Sequence, residues 1–197
     1  MCANDRIAEA MSAQRSSGNP VKIVVSKPRD VHHDHRWILE MYKRACVIEN
    51  HQVALCAPDH DEAVVLFGMA QCCNETMCLK EPLLHAHHFM SIEWDAPHRS
   101  RIQVYDMNRL GLGKGQVIHD LYCTGVSRWH KPRKQMLSLL NAVPMKPGNM
   151  VVVELDSGNH GEMGEWWDDI VSWHSANPED YFGWIPLDFS REVACLT

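Results

Sequence analysis

Val104-Tyr105-Asp106-Met107-Asn108-Arg109-Leu110-Gly111-Leu112-Gly113-Lys114-Gly115, continued by Gln116-Val117-Ile118-His119-Asp120-Leu121-Tyr122, is the stretch around which the chain is read. An apolar alternation comes first, then three glycines spaced two apart, then a helix-capable run. That is the order of a backbone anion cradle: glycines let the main chain approach a phosphate, and the first amides of a helix point at it. The same glycines also serve a tight turn that needs positive φ. The spacing is neither GxxxxGK[ST] nor GxGxxG, so it matches neither a Walker loop nor a dinucleotide fingerprint.

Outward from this loop the chain divides into an arm or short helix over 1–20, one domain over 21–189 and a tail over 190–197. Strands are expected at 22–26, 52–56, 62–69, 88–94, 101–107, 150–155 and 181–187. Helices are expected at 34–49, where Ile38, Met41, Tyr42 and Ala45 form a 3.6-residue stripe, and at 115–122, 131–142 and 162–174. The polar linker 57–61 between two apolar runs suggests a hairpin, and 150–155 suggests a central strand. The expected architecture is α+β, with a mixed, largely antiparallel central sheet and flanking helices.

With 197 residues, 45% hydrophobic and 22% charged, the composition is globular, and the length suffices for a core without staples. A formal net charge of -6 argues against a nonspecific grip on nucleic acid or an anionic membrane. No apolar run reaches the roughly 20 residues that cross a bilayer. The first residues lack a signal-peptide core, so a cytoplasmic setting is expected. The eight cysteines are then read mostly as reduced thiols.

The element order and the loop resemble the acyl-coenzyme A dependent N-acyltransferases of the GCN5-related superfamily. That family carries Arg or Gln, two residues, Gly, one residue, then Gly or Ala; the nearest match here is Asn108, Gly111 and Gly113, with Arg109 one position on. The resemblance implies acetyl-CoA held by Arg109, Gly111, Gly113, Lys114 and Gly115. It also implies a small-molecule or protein amine as substrate. Direct attack of that amine on a thioester needs a proton acceptor and a donor for the leaving thiolate. Glu93 and Asp95 are candidates for the first role, and Tyr181 or Tyr122 for the second.

Two further chemistries and one binding role are written in the residues. Cys123, followed by Pro147-Gly148-Asn149 and His160, resembles the papain-like cell-wall peptidase superfamily. That resemblance implies Cys123 as nucleophile, His160 as base and His174 as orienting residue. Cys73, Cys78, His85 and His87 supply soft ligands for zinc, although without the paired short spacings of a structural site. Trp166 and Trp167 cannot both face one core, because adjacent helical residues point about 100° apart, so one of them is available to a protein partner. The basic run 128–134 reads as a solvated helix start rather than a nucleic-acid contact. A non-enzymatic interaction domain is therefore the third reading.

Overall fold

The computed structural model describes residues 3–28, 34–77, 83–85, 90–109, 116–177 and 183–190. The amino-terminal helix α1 (Ala3–Ser16) leads into β1 (Val21–Lys27), an apolar run buried along nearly its whole length. Helix α2 (Asp34–Val47) follows, with Asp34 in its first turn and Trp37, Ile38, Met41, Tyr42 and Ala45 turned inward. Then come β2 (Gln52–Ala57), α3 (His60–Met77), β3 (Leu83–His85), β4 (Ser91–Glu93), β5 (Arg101–Asp106) and β6 (Asp120–Cys123). Helix α4 (Pro132–Leu140), β7 (Met150–Asp156), α5 (Gly164–Ala176) and β8 (Ile185–Asp188) complete the order, with single 3-10 turns before α4 and α5. Pro132 opens α4, where a missing amide hydrogen costs nothing.

These strands form an eight-stranded sheet in the order β3-β4-β5-β2-β6-β7-β1-β8. The six strands from β5 to β8 in that order pair in parallel throughout, and only β4 runs against its neighbours β3 and β5. The expectation of a largely antiparallel sheet is thus corrected: the sheet is mixed but mostly parallel. Two local differences account for this. Residues 62–69, expected as the second strand of a hairpin, belong to α3, and a helix between strands makes a crossover that returns the chain in parallel. Residues 120–122, expected at the end of a helix, belong to β6, which pairs with both β2 and β7.

Both faces of the sheet are covered. On one, α1, α2 and α3 bury Ile7, Trp37, Met41, Tyr42, Leu66 and Phe67 against Ile23, Val25, Leu55 and Val152. On the other, α4 and α5 bury Met136, Leu139, Trp167 and Ile170 against Val24, Leu121, Val151 and Val153. Strands covered on both sides read as continuous apolar runs, which is how β1 and β7 appear in the sequence. No helix among the described residues is long and apolar enough to cross a membrane.

Candidate functional site

Strands β1 and β7 lie side by side, yet their chains leave in opposite directions. From β1 the chain passes through α2 on one face and crosses to β2; from β7 it passes through α5 on the other face to β8. Such a divergence opens a crevice at the carboxyl ends of the two strands, the place where open α/β sheets take their ligands. The side chains gathered there are Ser26 and Lys27 from β1, Asp34 and Trp37 from α2, Tyr122 from β6, Thr124 just after it, Glu154 and Asp156 from β7, and His160 from the loop beyond.

On the α2 face the crevice is filled by a buried polar network. The Lys27 ammonium sits 3.1 Å from Oε2 of Glu154, whose side chain is 1% exposed. The Trp37 indole donates to Glu154 Oε1 at 3.0 Å, and Thr124 Oγ1 donates to Oε2 at 3.4 Å. The Tyr122 hydroxyl lies against both Asp34 Oδ1 and Glu154 Oε2, the latter at 2.9 Å. That hydroxyl has one proton and faces two carboxyl groups. Serving both therefore requires a second proton on one of the carboxyls. Burial pushes the Glu154 carboxyl up to about 7 against the attraction of Lys27. Burial, with Glu154 and Asp34 as neighbours, likewise raises the Tyr122 phenol well above its ordinary value, so it stays neutral.

On the α5 face Ser26 Oγ and His160 Nε2 are 3.0 Å apart, and the imidazole packs at 5.3 Å on the Trp167 ring. Beside them Arg128 closes a second set of charges. Its guanidinium takes both oxygens of Glu62 in the first turn of α3, and its Nε donates to Asp156 at 3.0 Å. Gly125, at φ +54, makes room for it: a Cβ there would overlap the guanidinium. Among the described residues, two cations at the crevice, Lys27 and Arg128, thus face four carboxyl groups, Asp34, Glu62, Glu154 and Asp156.

The residues proposed from sequence are dispersed. Glu93 ends β4 and pairs with Arg101 at 2.8 Å, while Asp95 is exposed in the following turn. Arg109 is an exposed turn residue 3.6 Å from Asp106. Gly111, Gly113, Lys114, Gly115 and Tyr181 lie outside the described residues, and the run after the glycines enters β6 rather than a helix. Cys123 is wholly buried on β6; burial and a hydrogen bond with the adjacent Cys56 thiol hold it protonated, well above the usual thiol range. His160 finds Ser26 as its partner. His174, half-buried on α5, has no partner for Nδ1 among the described residues. Cys73 is buried in α3, His85 belongs to β3, and Cys78 and His87 lie outside the described residues. Among the described residues no group of three or more His, Cys, Asp or Glu side chains is placed to hold a metal ion. Trp167 is buried in the core, and Trp166, half-buried, packs against the same core and edge-on against Trp184 at 5.2 Å, while Trp129 is buried and donates to the Thr124 carbonyl.

Sequence reading missed Lys27 and Glu154 as a pair. The available signal was a carboxylate inside an apolar run, Met150-Val151-Val152-Val153-Glu154-Leu155, opposite a lysine that ends another. A charge in a strand buried on both faces needs a partner.

The fold and the crevice define a class: an open, mostly parallel sheet with helices on both faces and a topological switch point between two adjacent interior strands. Within that class, the structure is similar to the crystal structure of the HK97 bacteriophage large terminase, with a TM-score of 0.67 and 10% sequence identity. The match covers 98% of this chain and 41% of the terminase chain, and at that identity it speaks for the fold alone. No family model matches the chain, and no curated protein matches it.

Proposed function

We propose that this chain is a non-catalytic interaction module built on a nucleotide-binding type of fold, with its ligand crevice converted into an internal ionic lock. The observation that carries this reading is the charge balance at the carboxyl ends of β1 and β7. A strand, a loop and a helix in this order can seat a phosphate when the loop supplies glycine amides and a lysine and the helix N-terminus is left free for the anion. Here the sequence between β1 and α2 is Pro28-Arg29-Asp30-Val31-His32-His33, without GxxxxGK[ST]. The first turn of α2 carries the buried Asp34, and Lys27 is engaged by Glu154. A carboxylate at that helix end uses the positive pole that an anion would otherwise use. The domain therefore serves through its surface rather than through chemistry at the crevice.

The test is a titration with ATP and magnesium, read by thermal shift and by phosphate release. No upward shift at millimolar nucleotide and no turnover above buffer is the expected result. A saturable rise in Tm, which mass action requires of any ligand that binds the folded state, would overturn the reading. Acetyl-CoA is titrated in parallel. Saturable binding lost in Gly113→Asp would restore the acyl-transfer reading, whose cofactor loop spans 109–115.

A further inference from the structure

Alternate residues of β5 serve opposite faces of the sheet. Ile102 and Val104 enter the core under α1, α2 and α3. Arg101, Gln103 and Tyr105 point the other way, into a cavity of about 340 Å3 that lies over β5 and the starts of β2 and β6. None of the crevice residues lines it. Its polar wall is built of amides. The Tyr105 hydroxyl is 2.7 Å from the side-chain carbonyl oxygen of Gln103 and 3.0 Å from that of Gln116. Burial pushes this phenol up to about 12, so it keeps its proton. One proton serves one carbonyl, and the second glutamine is satisfied only with its amide turned, the nitrogen donating to the phenol oxygen. With Gln103 as the nearer acceptor, its two N–H groups remain at the cavity, while Gln116 keeps one N–H and its carbonyl. Among the described residues neither amide has a further partner.

The charge of the wall is already matched. Among the described lining residues the ionic side chain is Arg101, which meets Glu93 at 2.8 Å. A phosphate or carboxylate therefore gains no unmatched cation there, and the Gln116 carbonyl repels it. An adenine edge offers a donor beside an acceptor, as amides prefer, but a base also needs a ring to stack on. Tyr105 is the aromatic residue among the lining residues, and it is 7% exposed. We infer that this cavity binds a neutral primary carboxamide, the side chain of a glutamine or asparagine on a partner polypeptide. Its carbonyl accepts from Gln103 and its NH2 donates to Gln116. Val117, exposed at the rim, covers the methylene stem. The volume is at the small end for ligand cavities, which suits a side chain. That a protein carries the carboxamide rests on the interaction-module reading; the chemistry of the cavity does not.

The probe is acetyl-glutamine methylamide, titrated into the full chain while NMR follows the side-chain NH2 signals of Gln103 and Gln116 and the Val117 methyls. Saturable shifts are expected in about the millimolar range for so small a ligand, unchanged by salt because no net charge is paired. Acetyl-glutamate methylamide, of the same shape but without the donors, is expected to bind at least about tenfold more weakly, and so is adenosine. Gln103→Glu and Gln116→Glu are each expected to weaken the glutamine probe about tenfold with Tm within a few degrees of the parent. Should Gln103→Glu unfold the chain, Gln116→Glu, at an exposed position, decides alone. No saturable shift, equal binding of the glutamate probe, tighter binding of adenosine, or full affinity in the variants overturns the inference. A blocked Ala-Ala-Gln-Ala-Ala peptide tests the carrier: binding at least as tight as the single residue supports a polypeptide, and exclusion of the peptide overturns it. ATP turnover on the same sample separates the two proposals. Turnover with amide binding intact overturns the non-catalytic reading and leaves the cavity standing, while amide failure without turnover does the reverse.

Discussion

Lys27 and Glu154 show how one pair governs an interior. Each is buried, and breaking a buried ion pair costs about 3–5 kcal/mol. Lys27→Met is therefore expected to lower stability by that order at pH 8, and by less at pH 5, where Glu154 accepts a proton and no longer demands a cation. Urea unfolding at the two pH values measures the difference. In the parent chain the folded Glu154 carboxyl titrates near 7 against an ordinary value of 4.5. Between these values the folded state binds more protons than the unfolded one, so this group's contribution to stability is greatest below 4.5 and is lost as pH rises through 7. Glu154→Gln is expected to remove that dependence, so the parent and the variant curves should converge or diverge with pH in that window; parallel curves would contradict the assignment. The opposite sign belongs to His119, just before β6 at the amino-terminal end of the strands. Its Nδ1 accepts the Gln52 amide at 3.0 Å, and burial followed by the neighbouring His51 lowers its pKa. The unfolded state then binds the extra proton, so stability falls as pH drops below 6.5. In an NMR titration His119 is expected to titrate below a free histidine. Gly125→Ala combines a left-handed backbone with an overlap on Arg128, and is expected to cost about 1–3 kcal/mol by urea unfolding.

At the scale of elements, β1, α2, β2, β5, α4, β7 and α5 are all legible in the sequence, from an apolar run, an apolar alternation, a helical stripe or, for α4, the proline that opens it. Helix α3 was misread for an identifiable reason. Its inward residues Ala63, Leu66, Phe67, Ala70 and Cys73 keep helical spacing, but Val64 and Val65 lie on the solvent side, 51% and 54% exposed, and close the gaps into a strand-like run. Strand β6 was misread because four residues buried on both faces show no alternation, and a preceding glycine cluster suggested a helix start. Those two errors together turned parallel crossovers into a hairpin and hid the crevice, since a switch point exists only once strand order is known. The expectation that Trp166 and Trp167 cannot share one core is corrected: Trp167 is buried in the core under α4 and α5, and Trp166, half-buried, packs against that same core and on Trp184. Within the sheet, β1 and β7 have strands on both sides and helices on both faces. Their amides are expected to exchange with deuterium only through global unfolding, whereas β4, three residues long near the sheet edge, exchanges through local opening. Comparable exchange in β4 and β7 would contradict this.

For the molecule as a whole, the two helical layers share one sheet, so neither layer keeps its apolar surface covered without the other. Cys56 and Cys123 sit side by side in register at the middle of that shared sheet, both with 0% exposure, while Cys72 is exposed on α3. The chain thus carries its own chemical clock. An alkylating reagent reaches Cys72 at once but modifies Cys56 and Cys123 only in molecules that have come apart, so the lag between the two mass increments, followed in plain buffer, reads how often the native state opens without any denaturant.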